Sequence, residues 1–148
     1  MIALRIEDTR EFLKLLLEED EFDSFLVGRC EVTTFITFST DGIRRLTRDE
    51  EESGEGTQHS ERVYWSELKP TVIEMIRSSS VPGALKLDLF RYFNRDMGSM
   101  RIDFDDGSFT MTTGFMQKEF SLDKRASEDW DDACMRYLSR NGIGVTVM

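Results

Sequence analysis

Cysteine, histidine and proline are scarce in this sequence, and their scarcity limits the chemistry that it can carry. Two cysteines, one histidine and two prolines are spread over 148 residues. Neither Cys30 nor Cys134 belongs to a Cys-x-x-Cys pair or a Cys/His cluster, so we expect two buried free thiols that behave as small apolar side chains. A single histidine, His59, excludes a multi-histidine metal site, and its acidic surroundings favour a solvated surface side chain.

Basic residues are outnumbered. The chain has 19 lysines and arginines against 29 aspartates and glutamates, which gives a net charge of −10. Proteins that bind nucleic acids use clustered lysine and arginine, whereas the basic pairs Arg44-Arg45 and Lys124-Arg125 lie among acids. We therefore expect no nucleic-acid partner and no anionic membrane surface, and a basic protein or a cation would be attracted.

Long apolar runs and glycine-rich phosphate loops are also missing. The first eleven residues become charged within five positions, and no stretch approaches about 18 apolar residues. The sequence therefore predicts neither a signal peptide nor a membrane span, and we expect a cytoplasmic location. Neither G-x-x-x-x-G-K nor G-x-G-x-x-G occurs, so no nucleotide cofactor is predicted.

Helical periodicity is present in three places. Asp8 is a predicted N-cap, with Glu11 as its capping-box partner, for a helix that ends near Glu19. Ser66 is expected to cap a second helix, and Ser127 to begin a third. Their apolar stripes are Phe12, Leu13, Leu16 and Leu17; Leu68, Val72, Met75 and Ile76; and Trp130, Ala133, Cys134, Tyr137 and Leu138.

Strand signals fall between these helices. Residues 25–38 are rich in β-branched and aromatic side chains, and Asp41-Gly42 then predicts a two-residue turn into a returning strand, 43–47. Farther along, Asp106-Gly107 predicts a second hairpin. If these two residues form the loop, Phe104 faces Phe109 and Ile102 faces Met111, which places all four on one face.

These elements predict one α+β domain spanning residues 1–148. Its mostly antiparallel sheet is built from two hairpins, with about three helices packed on it. Residues 48–62 lack apolar periodicity and carry the acidic run Asp49–Glu52, so they are predicted to be an acidic flexible loop.

Several segments together resemble an uncharacterised family of small bacterial proteins, a domain of unknown function. The resemblance is carried by the opening MIALRIED, by TTFITF with the following Asp41-Gly42, by WSELKP at 65–70, and by the ending from Leu122 through Trp130-Asp131 to Asn141-Gly142-Ile143. It spans nearly the whole chain. The resemblance implies a bacterial, cytoplasmic protein, and it carries over no catalytic residues.

Two motifs invite an enzymatic interpretation. Ser66-Glu67-Leu68-Lys69 matches S-x-x-K, but the companion motifs are missing and the serine is expected to be a helix cap. Asp103, Asp105 and Asp106 lie near the second hairpin tip, where carboxylates can hold Mg²⁺ or Ca²⁺ or act as an acid–base pair. The predicted register points Asp103 and Asp105 to solvent. A small metal-assisted hydrolase that uses these three aspartates is the alternative function.

The segment Phe90, Arg91, Tyr92 and Phe93 breaks the strand alternation. It exposes an aromatic side chain whichever face is buried, unless a bulge returns both sides to the core. Exposed aromatic residues with arginine are typical of protein interfaces. The favoured hypothesis is therefore a small cytoplasmic, non-catalytic protein-interaction or ligand-binding module. Its partner is itself or another protein, with pairing through an edge strand or through this segment.

Overall fold

One antiparallel sheet organises the protein. The computed structural model describes residues 1–54, 61–77 and 83–148. Seven strands lie in the order β3-β2-β4-β5-β6-β1-β7. Their bounds are β1 (Ala3–Ile6), β2 (Leu26–Thr33), β3 (Thr37–Thr40), β4 (Ala84–Phe93), β5 (Asp96–Asp105), β6 (Ser108–Met116) and β7 (Val145–Val147). The helices are α1 (Thr9–Leu17), α2 (Arg48–Ser53), α3 (Trp65–Arg77) and α4 (Arg125–Arg140). The predicted α+β class is confirmed.

The β5–β6 hairpin has the predicted turn and register. Asp106 and Gly107 have φ angles of 51° and 77°, and positive values at both loop positions are what a type I′ turn requires. Phe104 pairs with Phe109 and Ile102 with Met111. The rings of Phe104 and Phe109 lie 4.7 Å apart. Turn chemistry and hydrophobic alternation therefore agree at this hairpin.

The prediction of a hairpin turn at Asp41-Gly42 was wrong. The chain reverses earlier, where Thr33 pairs with Thr37 across residues 34–36. Of the pair, Gly42 alone has a positive φ, 75°, so the type I′ geometry is absent. A Cβ at Gly42 would lie 2.2 Å from the Val27 carbonyl oxygen. This glycine is needed for close contact with β2 rather than for a strand reversal.

A further hairpin, between β4 and β5, was not predicted. Phe93 pairs with Asp96, which leaves Asn94-Arg95 as the loop. Asn94 has a φ of 56°, which asparagine tolerates better than most residues. Because glycine is absent from this turn, the usual sequence signal is weak. The described sheet therefore contains three hairpin connections rather than the two predicted.

The prediction of a loop over 48–62 and of about three helices also needs correction. Residues 48–53 form a fourth helix, α2. The Thr47 hydroxyl accepts a hydrogen bond from the Glu50 amide at 3.2 Å, and Gly54 ends the helix with a φ of 75°. Acidic side chains in its first turn stabilise the helix, because they lie at the positive end of the helix dipole. No residue of α2 is buried, so its sequence has no apolar periodicity from which a helix could be predicted. Residues 55–60 of the predicted loop lie outside the described residues.

The three longer helices contribute to one apolar core on one face of the sheet. Phe12 of α1 packs against Phe109 with ring centroids 4.8 Å apart, and Trp130 of α4 lies against Gly98 of β5. Trp65 and Val72 of α3 belong to the same cluster. The predicted burial of Phe109 and Trp130 is confirmed.

Two helices begin one or two residues earlier than predicted: α3 begins at Trp65 and α4 at Arg125.

The strand beside β6 was not predicted from the sequence. β1 pairs with β6 on one side and with β7 on the other. Leu4 and Ile6 are buried while Arg5 is exposed, so the alternation existed but covered only four residues. The last strand, β7, covers three residues. The outer strands of the described sheet are therefore β3 and β7.

Candidate functional site

The face of the sheet opposite the core carries alternating charges. Arg101 donates to Asp88 at 3.1 Å across β4 and β5, and Arg29 donates to Glu31 at 3.2 Å along β2. These residues line a shallow charged depression of about 680 Å³, which also contains Lys86, Asp103 and Asp105. We call this side of the sheet the open face. Both ion pairs are partly exposed, so they contribute little stability.

The aspartates of the hydrolase alternative do not converge. Asp103 and Asp105 lie on the open face, whereas Asp106 is in the β5–β6 turn. Over the described ranges 1–54, 61–77 and 83–148, no group of three or more His, Cys, Asp or Glu side chains is placed to hold a metal ion.

Beside the charged depression lies a second hollow, which we call the open-face groove. It has a volume of about 550 Å³. Small residues form its floor: Ser99 pairs with Gly114 across β5 and β6, and a Cβ at Gly114 would lie 2.6 Å from the Ser99 Oγ. Larger side chains stand around this floor, so the missing side-chain volume creates the hollow. The lining includes Arg62, Phe90, Tyr92, Met97 and Arg101.

Phe90 and Tyr92 form the aromatic side of this groove. Their rings meet edge to face, with centroids 5.6 Å apart. Phe90 is 7% exposed, and the Arg62 guanidinium lies 5.5 Å from its ring centroid. Arg62 is held there by hydrogen bonds to the carbonyls of Asp41 at 2.7 Å and Gly28 at 3.2 Å. Tyr92 is 59% exposed and faces the groove as its aromatic wall.

The other two residues of the predicted interaction segment point to the helix side. The Arg91 guanidinium lies 4.1 Å from the Phe25 ring centroid and donates to the Ser24 hydroxyl at 2.6 Å. Phe93 packs edge to face on Trp130, with centroids 5.5 Å apart. The segment is therefore divided between two faces. No register shift interrupts β4 here, and the irregularity in the pairing lies in β2, between Val27 and Arg29.

The outer strand β3 presents an unusual surface. Residues 34–40 read TFITFST, with no charge, proline or glycine. Phe35, Ile36 and Phe38 are 76%, 45% and 44% exposed. β3 pairs with β2 and has no other strand partner in the described sheet. Phe35 and Ile36 lie in the turn before β3, and Phe38 lies on the strand. Natural sheets usually protect an uncharged outer strand that has exposed apolar side chains on it and beside it.

The remaining candidate side chains are occupied structurally. Lys69 donates to Asp23 at 2.5 Å and to the Glu19 carbonyl at 3.0 Å, so its amine is directed to the end of α1. Ser66 lies inside α3 rather than at its cap. His59 lies outside the described residues.

Both cysteines are free and buried, as expected. Burial raises the pKa of the Cys30 and Cys134 thiols to about 12, and the nearby Asp131 carboxylate adds to the effect at Cys134. A thiol is nucleophilic as the thiolate, so these two side chains are chemically quiet at neutral pH.

Fold and surface together define a class: an α+β protein whose antiparallel sheet is covered by helices on one face and presents a groove on the other. The sequence model of a "Family of unknown function (DUF5721)" matches residues 14–97 and 93–146. The chain belongs to this family. No curated protein and no solved structure matches it. No helix in the described part of the chain is long and apolar enough to cross a membrane.

Sequence reasoning missed two features of this surface. The floor of the groove depends on small residues meeting across strands, and such pairs are invisible until the strand order is known. The β3 edge did have a signal, because 34–40 is an uncharged β-prone run in a chain with 32% charged residues. The incorrect prediction of a turn at Asp41-Gly42 paired this segment with a returning strand at 43–47. On that prediction the segment was not an outer strand, so its exposure was not expected.

Proposed function

We propose that this protein is a non-catalytic protein-interaction module that pairs with a second copy of itself through the outer edge of β3. One observation carries the proposal: residues 34–40, which comprise the β2–β3 turn and the outer strand β3, are uncharged and expose Phe35, Ile36 and Phe38. An unprotected edge presents backbone donors and acceptors to any strand that can align with it. Burial in a specific interface satisfies those groups and removes the apolar side chains from water.

The charge distribution favours a second copy at this place. Two molecules that each carry a net charge of −10 repel one another. The segment 34–40 contributes no charge to that repulsion. Because exposed charges are screened within about 10 Å at 0.1 M ionic strength, added salt weakens the repulsion of the surrounding surface. Pairing through β3 should therefore strengthen as salt rises.

The sequence of β3 also suits antiparallel pairing with itself. A two-fold axis at Phe38 places the two Phe38 rings opposite one another and sets Thr37 opposite Ser39 of the second copy. Aromatic and hydroxyl cross-strand pairs each stabilise antiparallel sheets by about 0.2–1 kcal/mol. No like charges meet along this edge. A two-fold contact of this kind closes after two subunits rather than growing into a filament.

Sedimentation velocity over a range of protein concentrations tests the proposal. The wild-type chain is expected to form dimers, with a larger dimer fraction at 0.5 M than at about 0.15 M NaCl. Phe38→Lys, which places a charge at the centre of the edge, should be monomeric. The matched control is Val147→Lys on the opposite outer strand, where Val147 is 58% exposed, and it should remain a dimer.

Two outcomes would overturn the proposal. The first is a wild-type chain that stays monomeric at every concentration and salt level. The second is a Phe38→Lys variant that dimerises as well as the wild type. Circular dichroism on each variant establishes that the fold is retained, and Phe38 is exposed enough to accept lysine without disturbing the core.

The other parts of the functional hypothesis stay predictions. The segment Phe90–Phe93 is still a predicted interaction surface, although its residues lie on two faces of the sheet. A cytoplasmic location and a bacterial origin rest on the sequence arguments. For the metal-assisted hydrolase, no specific observation in the described residues adds support.

A further inference from the structure

No residue of β3 lines the open-face groove, whose strand residues belong to β4, β5, β6 and, at Gly28, to β2. It is therefore a separate surface from the one proposed for self-association, and its occupant requires its own argument. We propose that the groove binds a small amphipathic anion: a flat apolar ring system that carries one anionic group.

The shape of the groove fits a flat apolar group. Its volume of about 550 Å³ is within the range of small-molecule sites, which is about 300–1,000 Å³. Ser99 and Gly114 leave the floor low, while Tyr92 and Met97, which pair across β4 and β5, stand at one end. A planar ring can lie on this floor with its edge against the Tyr92 ring. Aromatic pairs of that geometry are favourable beyond the area that they bury.

The charges of the groove differ in sign from those of the whole chain. Its charged side chains are Arg62, Asp88 and Arg101, two guanidinium groups and one carboxylate. The local balance is therefore positive on a molecule with a net charge of −10. Most of the acidic protein surface repels an anion. The locally positive charge of the groove therefore favours the binding of an anion there.

Arg101 is the side chain that we expect to contact the anionic group. It is 64% exposed and already donates one hydrogen bond, from Nε to Asp88 at 3.1 Å. A guanidinium group has five N–H donors in a planar fork, so it can keep Asp88 and bind an anion with its terminal nitrogens. Arg62, held over Phe90, adds positive potential at the other side of the ring.

A pair of fluorescent probes separates the ring from the charge. 1-Anilinonaphthalene-8-sulfonate has a flat ring system and a sulfonate, and N-phenyl-1-naphthylamine has the same rings without the charge. Titrations are done with the Phe38→Lys variant, so that the result does not depend on dimerisation. We expect saturable binding of the sulfonate probe at one site, and weaker binding of the neutral probe.

Two variants with matched controls assign the site. Arg101→Gln should weaken the sulfonate probe about tenfold and leave the neutral probe unchanged, since one charge-assisted contact is lost. Arg29→Gln, on the same face with a 52% exposed side chain, should have no effect. Tyr92→Ala should weaken both probes, whereas Phe120→Ala, which removes a ring that is 93% exposed outside the groove, should weaken neither.

The proposal is overturned if the sulfonate probe shows no saturable binding, or if Arg101→Gln and Arg29→Gln have the same effect. Equal affinity for the two probes would also contradict it, because the anionic group would then contribute nothing. All four substituted side chains are exposed, so urea midpoints close to that of the parent are expected and show that the fold is retained.

Discussion

The indole N–H of Trp65 donates a hydrogen bond to the backbone carbonyl of Leu16 at 2.9 Å, and both residues are fully buried. The bond joins the first residue of α3 to the last turn of α1. Carbonyls in a final helical turn lack a partner within the helix, so a tertiary donor at this point satisfies a group that would otherwise be costly to bury. The two helices are thereby fixed relative to one another on the sheet.

Trp65→Phe should be strongly destabilising. It removes the hydrogen bond to Leu16, and the smaller ring leaves a void in the core. We expect a loss of about 2–4 kcal/mol in the free energy of unfolding, measured by urea denaturation. Tyr64→Phe is the control at the neighbouring, partly exposed position, and it should change that free energy by less than about 0.5 kcal/mol. A Trp65→Phe variant as stable as its control would refute this role for the indole.

Two glycines of the central strands should respond differently to an added methyl group. A Cβ at Gly98 would lie 2.6 Å from the Trp130 ring, which is packed in the core and cannot move aside. Gly98→Ala should therefore cost about 1–3 kcal/mol of unfolding free energy. At Gly114 the atom met at 2.6 Å is the Ser99 Oγ, which can rotate to another rotamer.

Gly114→Ala is accordingly expected to change the unfolding free energy by less than about 1 kcal/mol. Thermal and urea unfolding of the two variants, compared with the wild type, provide the measurement. If Gly114→Ala proved the more damaging of the two, the packing of Trp130 against β5 would be misassigned.

The two thiols should be unreactive in the folded chain. Burial holds the pKa of Cys30 and Cys134 at about 12, so both are protonated at neutral pH and are also shielded from reagent. Ellman's reagent is expected to detect no thiol in the native protein and both thiols in guanidinium chloride. Rapid reaction of either cysteine under native conditions would contradict the burial of its side chain.

The same thiols predict a loss of stability in alkali. Their ordinary pKa is 9.0, and the folded value is about 12, so above pH 9 the unfolded chain releases these protons first. The folded state then binds more protons than the unfolded state, and the free energy of unfolding falls as the pH rises from about 9 to 12. Replacing both cysteines with alanine should make that fall less steep.

The β5–β6 hairpin shows where sequence reasoning succeeds. Asp106-Gly107 can adopt positive φ at both positions, and the apolar alternation on each side independently requires the same register. Two local signals agreed, and the observed pairing of Phe104 with Phe109 follows from both. The α4 stripe is similar, because Trp130, Cys134 and Leu138 recur at helical spacing and all are buried.

Asp41-Gly42 shows where it fails. The same dipeptide was expected to make the same turn, but the Asp41 carboxylate accepts the Ile43 amide at 2.9 Å and so forms a local side-chain turn. Whether this dipeptide forms a hairpin turn or the observed side-chain turn depends on Val27, because the Val27 carbonyl leaves no room for a Cβ at position 42. That contact is distant in sequence, and no local pattern reports it.

The candidate site was only partly predictable. An exposed aromatic side chain near Tyr92 followed from the broken alternation of 90–93. The division of the segment, with Arg91 over Phe25 and Tyr92 in the groove, depends on strand pairing and on the position of α4. The order of strands in the sheet depends on contacts between residues distant in sequence, so local sequence patterns do not predict it.

Oxidative cross-linking at position 38 tests the proposed pairing of two β3 edges most directly. A Phe38→Cys variant should form a disulfide-linked dimer on mild oxidation, because a two-fold axis at this residue brings the two Cα atoms to about 4.5–5.5 Å, within the range that a disulfide spans. The native cysteines are buried and should not compete. Val147→Cys, on the opposite outer strand, should stay monomeric on a non-reducing gel. Efficient cross-linking at 147 with none at 38 would contradict the account.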